Sequence, residues 1–353
     1  MAGRRPTMSD IARRVGVSRV AVSYALNGRP GVSDDLRERV REVAQELGFT
    51  AHRAAVALHG AAADVVGLAL RRTSAALRSE VFRRQFIAGL QMELYARGYG
   101  LALQFVEHTD EEIALYRRWH AERRVDGVIL CDLRTGDPRL DAVRELTLPA
   151  VVAGGAGELP GLANLSTDEQ AGAAKIAGLL SALGHRRIAR VSGPPDLAHT
   201  AARTAALATA FGADAVLTVA ADYTGEAAAT ATRRILSGRD RPSAIVYDND
   251  LMALAGLGVA AEMHVAVPGA VSILAWEDSP LCQLVHPALT VLQRNITDYG
   301  MRTARLLFEL LDGRPPRSVR YGNATLVVRD STGPAQIMSR SALPEGGPRP
   351  PAA

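Results

Sequence analysis

The stretch that decides the fold of this chain is residues 7–28, TMSDIARRVGVSRVAVSYALNG. Apolar residues recur at helical spacing in both halves of it, at Ile11, Ala12, Val15, Val22 and Leu26. Ser9 and Ser18 each suit the N-cap of a helix, and Gly16 suits a tight turn between the two halves. Two short helices joined in this way form a helix-turn-helix, which places its second helix in the major groove of DNA. An ordinary helical hairpin with a solvated face is the alternative.

The second helix of this motif leaves Arg19, Val20 and Ser23 on its outer face, near its N-terminus. Recognition helices contact base edges with this part of their surface. A third helix is predicted from Ser33, a good N-cap residue, to about Leu47, with one apolar face toward the first two. The predicted DNA-binding headpiece therefore spans residues 1–48.

Positive charge is concentrated around this headpiece. Residues 1–60 contain ten arginines and six acidic residues, a difference of +4 that equals the formal net charge of the whole chain. The remaining 293 residues carry 31 basic and 31 acidic side chains. A basic domain attached to a neutral body is typical of a protein that binds nucleic acid phosphates.

Composition limits the other possible classes. The 353 residues are 48% hydrophobic, enough for two or three domains with large cores. No apolar run of membrane-spanning length and no signal peptide is found, so we expect a soluble, cytoplasmic protein with no membrane partner. The two cysteines, Cys131 and Cys282, lie in or beside apolar segments and are expected to be buried thiols. The histidines show no metal-ligand spacing, so neither a metal nor a cofactor is expected.

Beyond residue 64 apolar strand-like runs alternate with helical segments, a pattern typical of parallel sheets covered by helices. The number of runs fits two sheets better than one. Residues 49–63 are small and weakly helical, as expected for a linker whose helix forms only in a favourable context. Residues 339–353 hold four prolines without periodicity and are predicted to be disordered.

Six stretches of the chain, in this order, resemble the LacI/GalR (lactose-repressor) family of bacterial transcription regulators. They are DIARRVGVSRVAVSYALNG, VSDDLRERVREVAQELGF, LGHRRIARVSGPPD, YDNDLMALAGL, VPGAVSILAWEDSPLCQLVHPALTVLQ and TLVVRDST. The resemblance covers residues 7 to about 334. It implies a homodimer in which a helix-turn-helix headpiece precedes an α/β periplasmic-binding-protein-like core of two parallel-sheet subdomains.

The resemblance also implies how the core is divided. The core would span residues 64–338. Its N-subdomain would be about 64–162 plus 291–320, and its C-subdomain about 163–290 plus 321–338. A small-molecule effector would bind between the two, where the carboxyl ends of the strands face each other.

The resemblance assigns roles to residues of the headpiece and of the linker. Base reading of a double-stranded operator falls to Arg19, Val20 and Tyr24. By their chemistry, the side chains of Ser18, Ser23 and Asn27 are better suited to contacts with backbone phosphates. The linker matches the family's hinge helix at Ala55 and Leu58 but departs from it at His52. These three residues are implied to enter the minor groove, where Leu58 would wedge between the central base pairs. A linker leucine packed on the core is the alternative for Leu58.

In the core, the residues matched to effector-binding positions of the family are Arg203, Tyr223, Asn249 and Glu277. Arg71, Asp132 and Asp250 are secondary candidates, and Asp250 equally suits the N-cap of a helix. Such a set of polar groups with one aromatic ring suits a sugar or sugar derivative. Gly154 stands where some sugar-responsive members have an acid, and Glu277 is longer than the usual aspartate, so another metabolite such as a purine stays open.

A solute-binding protein and a Rossmann-type enzyme are the two alternatives to a ligand-responsive repressor. A solute-binding protein would have no use for a basic headpiece, and a Rossmann-type enzyme would need a catalytic constellation that the sequence lacks. The glycines of Gly256-Leu-Gly258 imitate a dinucleotide fingerprint, but they fall inside a predicted helix rather than at a strand-to-helix turn. The chain is therefore predicted not to be an enzyme.

Overall fold

The computed structural model describes residues 6–26, 29–49, 62–71, 81–155, 157–322 and 324–336. Contacts divide the chain into two compact units, residues 1–63 and residues 64–353. The helical region and the α/β region fall in separate units.

Residues 6–26 and 29–49 of the first unit form three helices. These are α1 (Met8–Val15), α2 (Arg19–Leu26) and α3 (Asp34–Glu46). Thr7, rather than the predicted Ser9, caps α1, because Thr7 and Asp10 form a capping box in which the Thr7 amide donates to the Asp10 carboxylate at 2.8 Å. The Ser33 hydroxyl accepts from the Leu36 amide at 3.4 Å, so the predicted cap of α3 is confirmed.

A small apolar core holds these helices together, formed by the buried side chains of Ile11, Ala12, Val15, Val22, Ala25, Val40 and Ala44. Gly16 ends α1 with a φ of 80°, a conformation that glycine adopts without steric strain. The turn at Gly16 lets α2 pack across α1, as the spacing of apolar residues predicts.

The second unit contains two sheets. One is six-stranded and all-parallel, with the strand order β11-β5-β4-β3-β1-β2. Its strands are β1 (Val65–Arg71), β2 (Gly100–Val106), β3 (Gly127–Leu130), β4 (Ala150–Ala153), β5 (Ala163–Thr167) and β11 (Ser318–Tyr321). The helices that accompany them are α4 (Val81–Ala96), α5 (Thr109–Ala121), α6 (Arg139–Glu145) and α12 (Ile296–Leu311). We call this half the N-subdomain.

The other half, the C-subdomain, contains a second six-stranded sheet of order β12-β10-β9-β8-β6-β7, parallel except for the antiparallel pair β10 and β12. Its strands are β6 (Ile188–Ser192), β7 (Val216–Ala220), β8 (Ala244–Tyr247), β9 (Ser272–Ala275), β10 (Thr290–Gln293) and β12 (Thr325–Val327). Its helices are α7 (Glu169–Ala182), α8 (Ala198–Phe211), α9 (Gly225–Leu236), α10 (Asp250–Glu262) and the short α11 (Pro280–Leu284).

The chain passes between the subdomains three times, between β5 and α7, between β10 and α12, and between β11 and β12. The first passage differs from the predicted boundary at residue 162, because β5 pairs with β4 and β11 in the N-subdomain sheet. The second comes after Gln293, since β10 belongs to the C-subdomain sheet rather than to the predicted N-subdomain segment from residue 291. The sequence does not predict these two strands, because β5 contains polar residues and β10 is only four residues long.

Helices α4 and α12, in the N-subdomain, pack unusually closely against each other. A methyl group on Gly89 would lie 2.0 Å from the backbone oxygen of Thr297, and one on Gly300 would lie 2.3 Å from that of Phe86. Both positions therefore require glycine, because the backbones of the two helices touch there. Within the described parts of the chain, no helix is both long enough and apolar enough to cross a membrane.

Candidate functional site

The N-terminal end of α2 presents the predicted DNA-reading side chains. The Ser18 hydroxyl accepts from the Ala21 amide at 3.1 Å and so caps the helix. Arg19 is exposed, and Val20 is 61% exposed although it is apolar. An exposed valine beside an exposed arginine suits a surface that meets thymine methyl groups and guanine edges.

Arginine pairing distinguishes Arg19 from its neighbours. Arg13 pairs with Asp10 at 2.6 Å, and Arg14 lies 3.6 Å from Glu46. Within residues 6–26 and 29–49, Arg19 has no ion-pair partner. Its guanidinium is therefore available for a ligand.

Ser23 and Tyr24 lie on the same helix and are half-buried. The guanidinium of Arg29 lies 6.0 Å from the centre of the Tyr24 ring, so the ring is partly covered by its neighbour. Asn27 of the predicted phosphate contacts falls outside the described residues, as do the hinge residues His52, Ala55 and Leu58. The roles of those four residues stay predictions.

The core contains a cavity between the two sheets, at the carboxyl ends of their strands. Six of the seven predicted effector residues line it, namely Arg203, Tyr223, Asn249, Glu277, Asp132 and Asp250. The structure thus brings together side chains that are up to 145 positions apart, from Asp132 to Glu277. Open α/β sheets generally bind ligands at this edge.

Arg71 is the predicted residue that lies elsewhere. It lines a neighbouring cavity, and its guanidinium donates to the Thr109 hydroxyl at 2.9 Å. Strand β1 continues through Arg71, and the side chain follows the N-subdomain surface toward α5. Asp132 lines both cavities and forms an ion pair with the buried Arg83.

Glu169, at the start of α7, is a buried carboxylate in the cavity wall that the sequence analysis missed. One carboxylate oxygen accepts from Arg203 at 3.1 Å, from Arg294 at 3.0 Å and from the Trp276 indole at 2.9 Å. The other oxygen accepts from the Thr167 hydroxyl at 2.6 Å. Burial alone would raise the pKa of Glu169, but the two arginines hold this pKa well below its ordinary value, so the carboxylate stays charged.

Arg203, on α8, is held on three sides. It bonds Glu169, donates to the backbone oxygen of Asp248 at 3.1 Å and lies 5.2 Å from the centre of the Trp276 ring. Burial would lower the pKa of Arg203, but the nearby carboxylates raise it above its ordinary value. A fixed, charged guanidinium therefore forms part of the cavity wall.

A second buried ion pair supports this wall from behind. Arg190 and Asp248 are fully buried and joined by two hydrogen bonds of 2.7 Å each. The same aspartate accepts from the Gly193 amide at 3.0 Å. The pair fixes Asp248, the residue after β8, and the cavity residue Asn249 follows it directly.

Tyr223 brings an aromatic ring into the cavity from a strained backbone position with a φ of 70°. Its hydroxyl lies 2.7 Å from His199 and 3.1 Å from Thr200. Burial, reinforced by the positive charge of Arg203, lowers the pKa of His199 to about 4, so this imidazole is neutral at pH 7. The Tyr223 ring and the His199 imidazole form a polar but uncharged part of the wall.

Asn249 and Asp250 share the start of α10. The Asn249 side chain accepts from the Met252 amide at 2.8 Å and donates to the Tyr223 backbone oxygen at 3.3 Å. The helix cap is therefore Asn249 rather than Asp250, and the capping alternative for Asp250 is wrong. Asp250 lies in the first turn, where the helix dipole stabilises its negative charge beside the cavity.

Two family models match the chain. Residues 7–52 match the model "Bacterial regulatory proteins, lacI family", and residues 177–332 match "Periplasmic binding protein-like domain". The transcriptional regulator CelR of Thermobifida fusca is 31% identical over 339 residues, covering 93% of this chain and 98% of CelR.

Solved structures give the same result. A LacI-family regulator from Bifidobacterium animalis is 35% identical, with a TM-score of 0.71 over 78% of this chain and 100% of that structure. A CelR–cellobiose complex is 28% identical, with a TM-score of 0.71 over 93% of this chain and 100% of that structure. With its helix-turn-helix headpiece and two-sheet core, the chain belongs to the LacI family of bacterial transcriptional regulators and is not an enzyme.

Proposed function

We propose that this regulator is a repressor that binds a near-palindromic operator as a dimer, and that a sugar or sugar derivative in the core cavity controls its operator affinity. One observation carries the proposal. The tyrosine, arginine, amide and carboxylate that the family resemblance assigns to effector binding converge in one cavity between the two subdomains. A few convergent polar groups in a largely apolar cleft are what a small-molecule site needs.

The charges in the cavity wall favour a neutral ligand. The wall holds three arginines and four carboxylates, namely Arg83, Arg203, Arg294, Asp132, Glu169, Asp250 and Glu277. Each of the arginines pairs with a carboxylate of the wall. A phosphate group would therefore meet arginines that are already neutralised, whereas sugar hydroxyls can both donate to carboxylates and accept from arginines. The cellobiose in the complex of the relative CelR supports a neutral saccharide.

In the headpiece, Arg19 and Val20 suit direct reading of the major groove. For the hinge we propose that Leu58 wedges into the central base step of the operator. Leu58→Ala should weaken specific operator binding about tenfold or more and leave effector affinity unchanged, since the wedge touches DNA alone. Fluorescence anisotropy with a labelled operator, beside calorimetry of the effector, measures both, and an unchanged operator affinity contradicts the wedge.

Exposed apolar side chains on both subdomains support a dimer. Tyr95 and Met92 on α4 are 86% and 56% exposed, and Leu284 and Leu281 on α11 are 79% and 50% exposed. Large apolar side chains grouped on a surface mark sites of protein association. A dimer would present two headpieces to the two halves of a near-palindromic operator.

Coupling between the two ligands follows from this arrangement. An effector that changes how the subdomains close would change the spacing of the two headpieces. Operator affinity would change with effector occupancy, and effector affinity would change with operator occupancy by the same factor. Because the operator is genomic DNA, we place this action in the cytoplasm.

The proposal is tested by selecting bound duplexes from a random pool and then titrating the enriched duplex with candidate effectors. The panel contains cellobiose, glucose, glucose 6-phosphate and hypoxanthine. We expect an enriched near-palindromic duplex whose affinity changes about 5- to 150-fold with a neutral saccharide. A response to hypoxanthine or glucose 6-phosphate alone would overturn the sugar assignment. Failure to enrich any duplex would overturn operator reading by this chain.

A further inference from the structure

The three passages between the subdomains are joined to one another by side chains. At the first passage Asp168 lies 3.5 Å from Arg320, which precedes the third. The hydroxyl of Tyr321, beside Arg320, donates to the backbone oxygen of Asn295 in the second passage at 2.9 Å. We call these contacts, together with the Glu169–Arg294 ion pair of 3.0 Å, the crossing cluster.

Glu169 belongs both to this cluster and to the wall of the effector cavity. Two of its partners are Thr167, the last residue of β5 before the first passage, and Arg294, which lies in the second passage. Its other partners, Arg203 and Trp276, belong to the body of the C-subdomain. One buried carboxylate therefore connects the cavity to two of the three segments about which the subdomains can move relative to each other.

The carboxylate has little unused bonding capacity. Three N–H groups share one of its oxygens, and the Thr167 hydroxyl bonds the other. A ligand hydroxyl that accepts from Arg203 or Arg294, or donates to Glu169, must redistribute these bonds. Arg294 is bound to Glu169 by a charge-assisted bond, so a shift of the carboxylate would draw Arg294 and the passage that carries it along.

We propose that Glu169 is a positioning residue that relays the occupancy of the cavity to the crossing cluster, and that its charge sets how strongly effector and operator binding are coupled. The coupling part of this proposal rests on the function proposed above. The connection between Glu169 and the passages does not, and it is measurable without any ligand.

The ligand-free test is hydrogen exchange of the full-length protein, comparing Glu169→Gln with Glu112→Gln. Glu112 is a matched control because it is also buried and paired with an arginine, Arg139 at 2.9 Å, but it touches neither the cavity nor a passage. Glu169→Gln should speed exchange about tenfold in peptides covering 290–298 and 318–326, since it loses charge-assisted bonds. Glu112→Gln should leave these peptides unchanged.

Equal exchange in wild type and Glu169→Gln, or uniformly faster exchange across the core, would overturn the proposal. Should Glu169→Gln fail to fold, Arg294→Gln removes the ion pair from the other side, and the same local pattern is expected. Unchanged exchange in that variant would likewise count against the proposal.

The coupling test uses cellobiose and the enriched duplex, measuring operator affinity with and without the sugar. In wild type we expect operator affinity to differ clearly with and without the sugar. Glu169→Gln should reduce the ratio of these two affinities at least fivefold toward one, whereas Glu112→Gln should preserve the ratio. A purely structural role would lower thermal stability without changing this ratio. If the operator affinity of wild type does not respond to cellobiose, control by this sugar is contradicted, and the hydrogen-exchange test alone decides on the role of Glu169. If wild type and Glu169→Gln respond equally, only the proposed relay through Glu169 is refuted.

Discussion

Replacing Gly193 by alanine should displace the aromatic ring of the effector cavity. A methyl group on Gly193 would lie 2.0 Å from Cζ of Tyr223 and 2.5 Å from Cε1. To reach ordinary contact at 3.4 Å, the ring must retreat by about 1.4 Å. Tyr223 cannot move this far without losing the bonds from its hydroxyl to His199 and Thr200.

The size of the effect follows from these contacts. Two neutral hydrogen bonds contribute about 1 kcal/mol each, and overpacking a tight site costs about 1–3 kcal/mol. Gly193→Ala should therefore lower the free energy of unfolding by about 3–5 kcal/mol. Effector affinity should fall about tenfold or more, because the ring leaves the cavity, whereas operator affinity without effector should hardly change.

Urea unfolding and calorimetry measure the two effects, with Gly178→Ala as the matched control. Gly178 lies within α7 with nothing within 4 Å of its would-be methyl group, so alanine there should stabilise the protein by up to about 1 kcal/mol. If Gly193→Ala unfolds like wild type and binds the effector equally well, the steric reasoning about Tyr223 is wrong.

Three further predictions concern the buried ion pair, a histidine and the headpiece. Asp248→Asn and Arg190→Met should each lower the free energy of unfolding by about 3–5 kcal/mol, because each leaves the other member of the ion pair as an unpaired buried charge. The double variant should lose less stability than the sum of the two single variants. Additive losses in urea unfolding would refute this. His199 has a folded pKa of about 4 against 6.5 when exposed, so the unfolded chain binds more protons between these values. Wild type should therefore lose about 2–3 kcal/mol of stability between pH 7 and pH 4, and His199→Gln should lose correspondingly less. If the stability of the two proteins has the same pH profile, the pKa of His199 is not the cause. Arg19→Ala should weaken binding to the selected duplex by about 1–3 kcal/mol and relax the base preference at one half-site position. Arg13→Ala is the control and should have little effect, because Arg13 already pairs with Asp10. An equal loss of affinity for all duplexes would mark Arg19 as a phosphate contact.

The parts of the fold that the sequence predicted well are those with strong periodicity and clear caps. The helices of the headpiece follow from apolar spacing and from the Ser33 cap, and the long strands β1 and β2 follow from their apolar runs. Strand β5 was missed because Asn164 and Ser166 interrupt its apolar pattern, although it is central enough to pair on both sides. Such strands are recognised only when their neighbours in the sheet are known.

The candidate site shows the same limit. Six of the predicted effector residues reach one cavity, whereas Arg71 lines a neighbouring one. Glu169 and Arg294 were missed because their partnership spans 125 positions, and no local pattern reports such a pair. The one local sign was an acidic pair, Asp168-Glu169, directly after a strand end, where polar residues of parallel sheets gather.

The order of strands also determines how this core can be divided. The last part of the chain supplies β11 to one sheet and β12 to the other, and α12 returns to cover the N-subdomain. A fragment that ends before residue 294 would leave the first sheet without its edge strand and without the helix that packs against α4. A fragment that starts at residue 168 would include a strand and a helix with no sheet to join. Neither half is a contiguous, self-sufficient piece of sequence, so a gene fusion or a proteolytic cut must treat residues 64–336 as one indivisible module.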